Sequence, residues 1–396
     1  MARSRTVIVA GGGIGGLTAA LALAAKNFRV VVLEQAERLE ETGAGIQLSP
    51  NATRVLRALG LAERLEAAAV APMALRVRTH RGRDIVQMPL GDFAQRRYGA
   101  PYWVVHRADL QAMLVGAARA HPDIVLRLGA RAEDFAAHAK GVTVQVHTAQ
   151  GTEDEHGIAL IGADGLWSTL RARLGDQRPP RFARRTAWRA TLPAKPLVAE
   201  FREPVVSLWL GPNAHLVLYP VRGGDAVNLV AIVGDDWHAP GWSAPGAPEE
   251  LLAHFRRWPP RLKNLLALPD RWLKWALYDR ARLRRWGQGP VTLLGDAAHP
   301  MLPFLAQGAA MAIEDAYVLA DKLGRAPERP DEALRAYERQ RGRRTARVQR
   351  AARWNRRFYH LKGLAAFFRN RSLRQKGGEA LLRRYDWLYA GDARRR

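Results

Sequence analysis

The chain has 396 residues, enough for a large core and two interlocked domains, and its hydrophobic fraction of 48% excludes general disorder. It contains no cysteine, which removes disulfides, thiolate metal sites and cysteine nucleophiles and fits a reducing cytoplasm. A formal net charge of +25 asks for anionic partners; with no zinc-ligand spacing and no RNA-binding aromatic motif, these are anionic cofactors and substrates rather than nucleic acid.

The first element is a β-branched run at residues 6–10, followed at once by Gly11, Gly12, Gly13, Gly15 and Gly16 and then by helix formers over 17–25. A second buried strand covers 29–33 and ends at Glu34, where a dinucleotide ribose is gripped in such units. The spacing Gly11, Gly13, Gly16 has a reason at each position. The first allows the tight turn, the second lets a pyrophosphate approach the backbone, and the third lets helix and strand pack closely. The helix start then offers unpaired N–H groups and a positive dipole end to phosphates. Residues 7–25 carry no charge and nearly match a membrane span in length, but five clustered glycines argue against a span, and the strand that follows argues against a cleaved signal.

Further along, the Gly-rich start of ETGAGIQLSPNATRVLRALGL reads as a loop, and 50–59 as a helix beginning near Ser49. Residues 75–90 alternate as a strand pair with Arg81-Gly82 at the turn. Val104 and Val105 close a strand before a helix over 110–120 with Asp109 in its first turn. Arg107 at that boundary reads equally as a phosphate or flavin contact and as a solvated charge. Residues 142–163 read as strands separated by turns, ending in a buried strand at 158–161 and a tight turn at Asp164-Gly165, on the sheet edge where ligands bind.

From 181 to 286 the segments are β-rich with Gly-containing turns, as in an antiparallel sheet, with an amphipathic helix at 249–258. This reads as an inserted substrate domain. His215 and Tyr219, four apart on one strand, share a face; on residue type alone they are a hydrogen-bonded core pair. A buried strand then ends at Gly295-Asp296, a Pro-rich loop crosses to Gln307-Gly308, and a helix runs to about 323. Beyond Pro330 two basic helical stretches carry Trp354, Phe358, Phe367 and Phe368, expected to pack on the body or on a second subunit, a homodimer, rather than on a membrane. No other long apolar segment occurs, so a soluble protein without integral membrane association is expected.

Three separated motifs, GGGIGG with Glu34, the GADG turn and LLGDAAHPMLPFLAQG, resemble the single-component FAD-dependent aromatic hydroxylases of the p-hydroxybenzoate hydroxylase fold. The resemblance is closest to the branch with salicylate hydroxylase, 3-hydroxybenzoate 6-hydroxylase and 6-hydroxynicotinate 3-monooxygenase, and it covers almost the whole chain, including GAGIQLSPNA and the final YDWLY. It implies an α/β fold: a Rossmann-like FAD-binding domain at 1–72, 100–180 and 290–345, an interleaved antiparallel-sheet substrate domain at 73–99 and 181–289, and a C-terminal helical region at 346–396.

Residue by residue, the resemblance implies that Gly11, Gly13 and Gly16, with Gly15 beside them, hold the FAD pyrophosphate, Glu34 the adenosine ribose and Arg107 the flavin side. Asp164 belongs to the motif shared by FAD and the visiting nicotinamide, Asp296 bonds the ribityl or pyrophosphate region, and Pro303 lies beside the isoalloxazine with Gln307 near it. The helix from Gly308 would stabilise the negative charge of a reduced flavin. His215 and Tyr219 form the family's HxxxYP pair beside the phenol, with His215 as the base that removes its proton.

The implied reaction takes a hydride from NADH or NADPH as transient co-substrate, since no second glycine fingerprint is present. It forms a flavin C4a-hydroperoxide with O2 and hydroxylates a phenolic aromatic acid. The first choice is 3-hydroxybenzoate 6-hydroxylation; the alternative is a decarboxylating hydroxylation of salicylate or 6-hydroxynicotinate. A different-class alternative is a basic flavoprotein that binds a membrane or nucleic acid through its C-terminal helices. A halogenase WxWxIP motif is not matched, because Trp272 and Trp275 are followed by Ala276-Leu277. One departure is Ala310 where the family commonly has Asn, which removes a helix-start hydrogen bond from the expected set.

Overall fold

The computed structural model describes residues 5–39, 44–237 and 243–393. Its first layer is a five-stranded sheet in the order Val291–Leu293, Ala159–Gly162, Thr6–Ala10, Arg29–Glu34, Ile124–Leu128. All four pairings are parallel. Thr6–Ala10 is buried along its whole length, as a central strand covered on both faces must be. The helices Ile14–Ala24 and Gly308–Arg325 pack against each other beside this sheet. Gly16 makes the close approach of helix to turn feasible, since a Cβ there would lie 1.9 Å from the Gly11 carbonyl oxygen.

A three-stranded antiparallel sheet, Arg131–His138, Gly141–Thr148 and Gly151–Gly157, hangs from this layer. The second large layer is an eight-stranded sheet in the order Ser243–Gly246, Trp272–Asp279, Arg181–Pro193, Ala226–Gly234, Ala214–Val221, Val205–Gly211, Ala74–Thr79, Asp84–Pro89. It is antiparallel except where Val205–Gly211 runs parallel to Ala74–Thr79, so residues 74–89 join the later β-rich segment in one sheet. One face of it is filled by Trp188, Trp209, Trp272 and Phe255, all fully buried. The other face turns toward the first layer and the C-terminal helices.

Several expectations need correction. Residues 41–43 lie outside the described set, but Gly45–Leu48 is not loop: it is a short strand paired antiparallel with Trp103–His106. The helix expected over 249–258 is confined to Pro248–Ala253, and a second helix, Pro260–Ala267, follows with proline in its first turn. The C-terminal stretches are the helices Pro330–Tyr359 and Gly363–Lys376, joined by two short ones, Gly378–Arg383 and Asp386–Tyr389. Trp354, Phe367 and Phe368 are exposed on this chain, as a face left for a second subunit would be; the helical period turns Trp354 away from the buried stripe of Val348, Ala352 and Asn355, while Phe367 and Phe368 stand on the next helix.

Candidate active site

The parallel sheet gathers the ends of its strands along one edge, and a cavity of about 340 Å³ opens there. Gly13, Gly15, Arg107, Asp296, Gln307 and Gly308 all border it. The backbone at Gly11 sits at φ +115°, where a Cβ would lie 2.3 Å from the Ala163 carbonyl oxygen, so this position tolerates glycine alone. A Cβ on Gly13 would meet nothing within 4 Å, which leaves the backbone open to whatever fills the cavity. Gly11 and Gly16 therefore shape the turn, while Gly13 and Gly15 face the space.

The helices Ile14–Ala24 and Gly308–Arg325 both start at this cavity, and neither first turn is capped by a side chain. Their free N–H groups and dipoles make the site favourable to negative charge. Asp296 opens into the void yet is encircled by protein; this enclosure pushes its carboxyl pKa up, against the charges of His299 and Arg107. No protein donor bonds its carboxylate among the described residues, so it waits as an acceptor. Open glycine backbone, two uncapped helix starts and a free acceptor suit a dinucleotide with its phosphates and ribityl hydroxyls.

Glu34 stands at the end of Arg29–Glu34, as the spacing demands, with both oxygens already engaged. Oε2 accepts the backbone N–H of Gly12 at 2.6 Å and Oε1 that of Ala36 at 2.9 Å. Asp164 stands between Ala163 and Gly165, which border the cavity; its Oδ2 accepts the backbone N–H of Leu170 at 3.1 Å, and burial raises its pKa.

A second cavity of about 360 Å³ adjoins the first, and the two meet at Gln47, His215, Val217, Pro303 and Ala306. Ala306 adopts φ +51°, a left-handed conformation costly for a residue with a Cβ, at this junction. The eight-stranded sheet supplies one wall and the C-terminal segment the other, with Trp354, Tyr359, Tyr385, Trp387 and Tyr389. Arg384 is the one permanently charged residue in this lining.

His215 is buried on the strand Ala214–Val221, and its Nδ1 lies 2.8 Å from His360 Nε2. Burial, with the nearby Arg185 charge, lowers its pKa to about 3. Its ring packs at 5.5 Å from Phe304 and 5.4 Å from Tyr359. Tyr219 borders the first cavity with His215, and burial raises its pKa. Pro303 borders both cavities.

Gln307 is locked from behind. Its Nε2 donates to Ser49 Oγ at 2.8 Å and its Oε1 accepts from Asn51 Nδ2 at 3.3 Å. Asn51 also donates to Glu314 Oε1 at 2.6 Å, and Glu314 and Asp315 are in turn held by Arg341, with Arg344 also on Glu314. Arg344 continues to the carbonyls of Trp387 and Leu388. A buried polar chain thus runs from the start of the Gly308–Arg325 helix to the tail that walls the second cavity.

Sequence reasoning missed His360, Asn51, Glu314, Arg341 and the lining role of 384–389. His360 is far from His215 in the chain, and nothing in the local pattern pairs them. The acids Glu314 and Asp315 interrupt a helix stretch, 308–320, that is otherwise uncharged, a signal that a buried cation must answer them.

Residues 4–352 match the FAD binding domain family. The chain is 39% identical over 385 residues to 3-hydroxybenzoate 6-hydroxylase 1 of Aquipseudomonas alcaligenes, covering 97% of each. It is 40% identical over 390 residues to 3-amino-4-hydroxybenzoate 2-monooxygenase PtnB3 of Streptomyces platensis, covering 98% of this chain and 96% of the relative. Among solved structures it superposes on Klebsiella pneumoniae HpxO complexed with FAD and uric acid with a TM-score of 0.86 and 27% identity, covering 98% and 97% of the two chains. A salicylate hydroxylase substrate complex gives 0.82 at 27% identity, covering 99% and 97%. No helix among the described residues is long and apolar enough to cross a membrane. With its cofactor cradle, its adjoining aromatic cavity and these similarities, the chain belongs to the FAD binding domain family as an FAD-dependent aromatic-ring monooxygenase of the p-hydroxybenzoate hydroxylase fold.

Proposed function

We propose that the chain hydroxylates a phenolic aromatic acid, with 3-hydroxybenzoate the first choice, converted to 2,5-dihydroxybenzoate at the expense of NADH or NADPH and O2. The observation that carries this reading is the junction at His215 and Pro303, where an apolar, aromatic-lined cavity opens onto the FAD cradle. A ring held there by aromatic walls stands against the inner end of the cofactor site.

FAD, when bound, supplies acceptance of the nicotinamide hydride and activation of O2. The chain supplies the rest. Gly13, Gly15 and the start of the Ile14–Ala24 helix would hold the phosphates, Asp296 the ribityl hydroxyls, and Glu34 the ribose at the strand end. Arg107 and the Gly308 helix start favour a negatively charged ring. His215 meets the phenol oxygen, Tyr219 orients from the same strand, and Arg384 at the wall offers a cation to the carboxylate. The lack of cysteine supports a reducing cytoplasm.

The test is a screen of aromatic acids for stimulated NADH consumption with product identification. It includes 3-hydroxybenzoate, 3-amino-4-hydroxybenzoate, salicylate and 6-hydroxynicotinate. The expected result is consumption matched by 2,5-dihydroxybenzoate from 3-hydroxybenzoate; matched consumption only with another acid would replace this substrate.

A further inference from the structure

His215 and His360 share one hydrogen bond, and a second bond decides which way it runs. Arg185 Nε donates to His360 Nδ1 at 3.3 Å. A guanidinium has only donors and stays protonated. His360 Nδ1 must therefore be the bare, accepting nitrogen, and in a neutral ring the proton then sits on Nε2. That proton points at His215 Nδ1, 2.8 Å away, so His215 Nδ1 must also be bare. The remaining proton of a neutral His215 is then on Nε2, the ring nitrogen with no protein partner among the described residues, on a residue that borders both cavities.

We propose that Arg185 and His360 are positioning residues that fix the His215 proton on Nε2, so that His215 meets the phenol oxygen as a hydrogen-bond donor and not as a base. The inference rests on the second cavity being the phenol site. With Nε2–H in place the ring has no lone pair facing the substrate. The phenol proton leaves to solvent water, the O–H bond breaking heterolytically, and the phenolate oxygen so formed accepts the His215 N–H. Stabilised phenolate is the more nucleophilic ring, so the donor serves the same end that a base would.

The groups facing the pair support its neutrality. His360 is met by Arg185, Arg356 and Arg369, and burial with these charges lowers its pKa to about 2, as burial lowers that of His215 to about 3. Neither ring gains a second proton near neutral pH, so each carries one and the direction of the chain is determined. Relay of a phenol proton through His215 to His360 would end with a proton on His360 Nδ1, against the Arg185 N–H.

Two measurements test this. In holoenzyme labelled with ¹⁵N-histidine, without substrate, long-range ¹H–¹⁵N spectra assigned with a His215→Gln control should show the His215 proton on Nε2. Arg185→Met, which removes the donor, should shift His215 toward a mixture of tautomers, and Arg185→Lys should restore the Nε2–H form. A proton on His215 Nδ1 in the wild type, or no change in Arg185→Met, overturns the proposal whatever the substrate. In turnover, His215→Gln keeps an N–H but has no basic nitrogen, and should hydroxylate at least about tenfold faster than His215→Ala; equal loss in both overturns the donor role. If no phenolic acid stimulates NADH consumption, the reading of the cavity fails, while the tautomer measurement still decides the proton's place.

Discussion

Glu34 Oε2 accepts the backbone N–H of Gly12 at 2.6 Å, so the acid at the end of the second strand braces the glycine turn. Its other oxygen holds Ala36 N–H at 2.9 Å. Glu34→Ala should weaken FAD binding by about 1–3 kcal/mol through loss of charged hydrogen bonds. It should also lower the melting temperature of the apoprotein, because two backbone donors lose their acceptor. Fluorescence titration with FAD and calorimetry of the apoprotein separate the two effects; an unchanged apoprotein would confine Glu34 to the ribose.

Ala310 is fully buried in the core beside the parallel sheet. From the sequence, Asn at this position is expected to add a helix-start hydrogen bond and tighten FAD. The structure gives an amide there an apolar enclosure, so Ala310→Asn should destabilise the protein by about 1–3 kcal/mol without tightening FAD. Thermal unfolding and FAD titration of the variant check both parts.

Glu314 and Asp315 carry depressed pKa values: burial would raise them, but Arg341 and Arg344 beside Glu314, and His299 and Arg341 beside Asp315, outweigh it. A depressed carboxylate lends stability that is complete above its ordinary pKa, 4.5 for Glu and 3.8 for Asp, and is lost as the pH falls below that value. Arg341→Met should cost roughly 3–5 kcal/mol near neutrality, toward the lower end because Arg344 still bonds Glu314. It should also reverse the sign on the acid side. The stranded carboxylates then prefer to be protonated, so the variant's melting temperature should rise as the pH falls from neutral toward 5.

His215→Ala should slow hydroxylation by about 10²–10³-fold, the range for losing one donor to a developing oxyanion. Substrate-stimulated NADH oxidation should survive better, with hydrogen peroxide replacing product. Tyr219→Phe should show a milder form of the same uncoupling. Product formed per NADH consumed is the measurement, and full coupling in both variants would make the pair structural.

Arg384 stands exposed at the cavity wall, where an ion pair is partly screened by water. Arg384→Gln should raise the KM for 3-hydroxybenzoate about fivefold, near 1 kcal/mol, with kcat almost unchanged. An uncharged phenol lacking the carboxylate should bind the variant and the wild type alike, which distinguishes a lost charge from a distorted wall.

The cofactor half of the molecule was legible because its signals are local. Strand, glycines, helix and terminal acid lie within one short stretch, and each glycine answers a contact that can be named, such as Gly16 against Gly11. The strand Ala214–Val221 was legible by the period-two rule that sets His215 and Tyr219 on one side, and both border the first cavity. What escaped depends on pairing across the chain. His360 is set against His215 only once the Pro330–Tyr359 helix has docked, and Arg384 becomes cavity wall only through the anchoring of Asp386 to Tyr98 and of Arg344 to the carbonyls of 387 and 388. The helix expected over 249–258 gives way after Ala253 to tight three-residue turns, His254 N–H to the Leu251 carbonyl and Phe255 N–H to that of Leu252, which still bury Leu251, Phe255 and Trp258 and so keep the apolar spacing without the helix.

The first cavity is bordered by Gly13 and Gly15 at one extreme and Asp296, Gln307 and Gly308 at the other. A ribosome adding about 5–20 residues per second takes roughly 15–60 s to deliver the second set after the first. During that interval the strand Thr6–Ala10 lacks its neighbour Ala159–Gly162 for much of the time, and the phosphate-binding turn has no opposite wall. Flavin loading is therefore a late event in the life of each molecule, and cells short of flavin would accumulate chains whose uncapped helix starts face an unfilled space, the population that chaperones and proteases meet first.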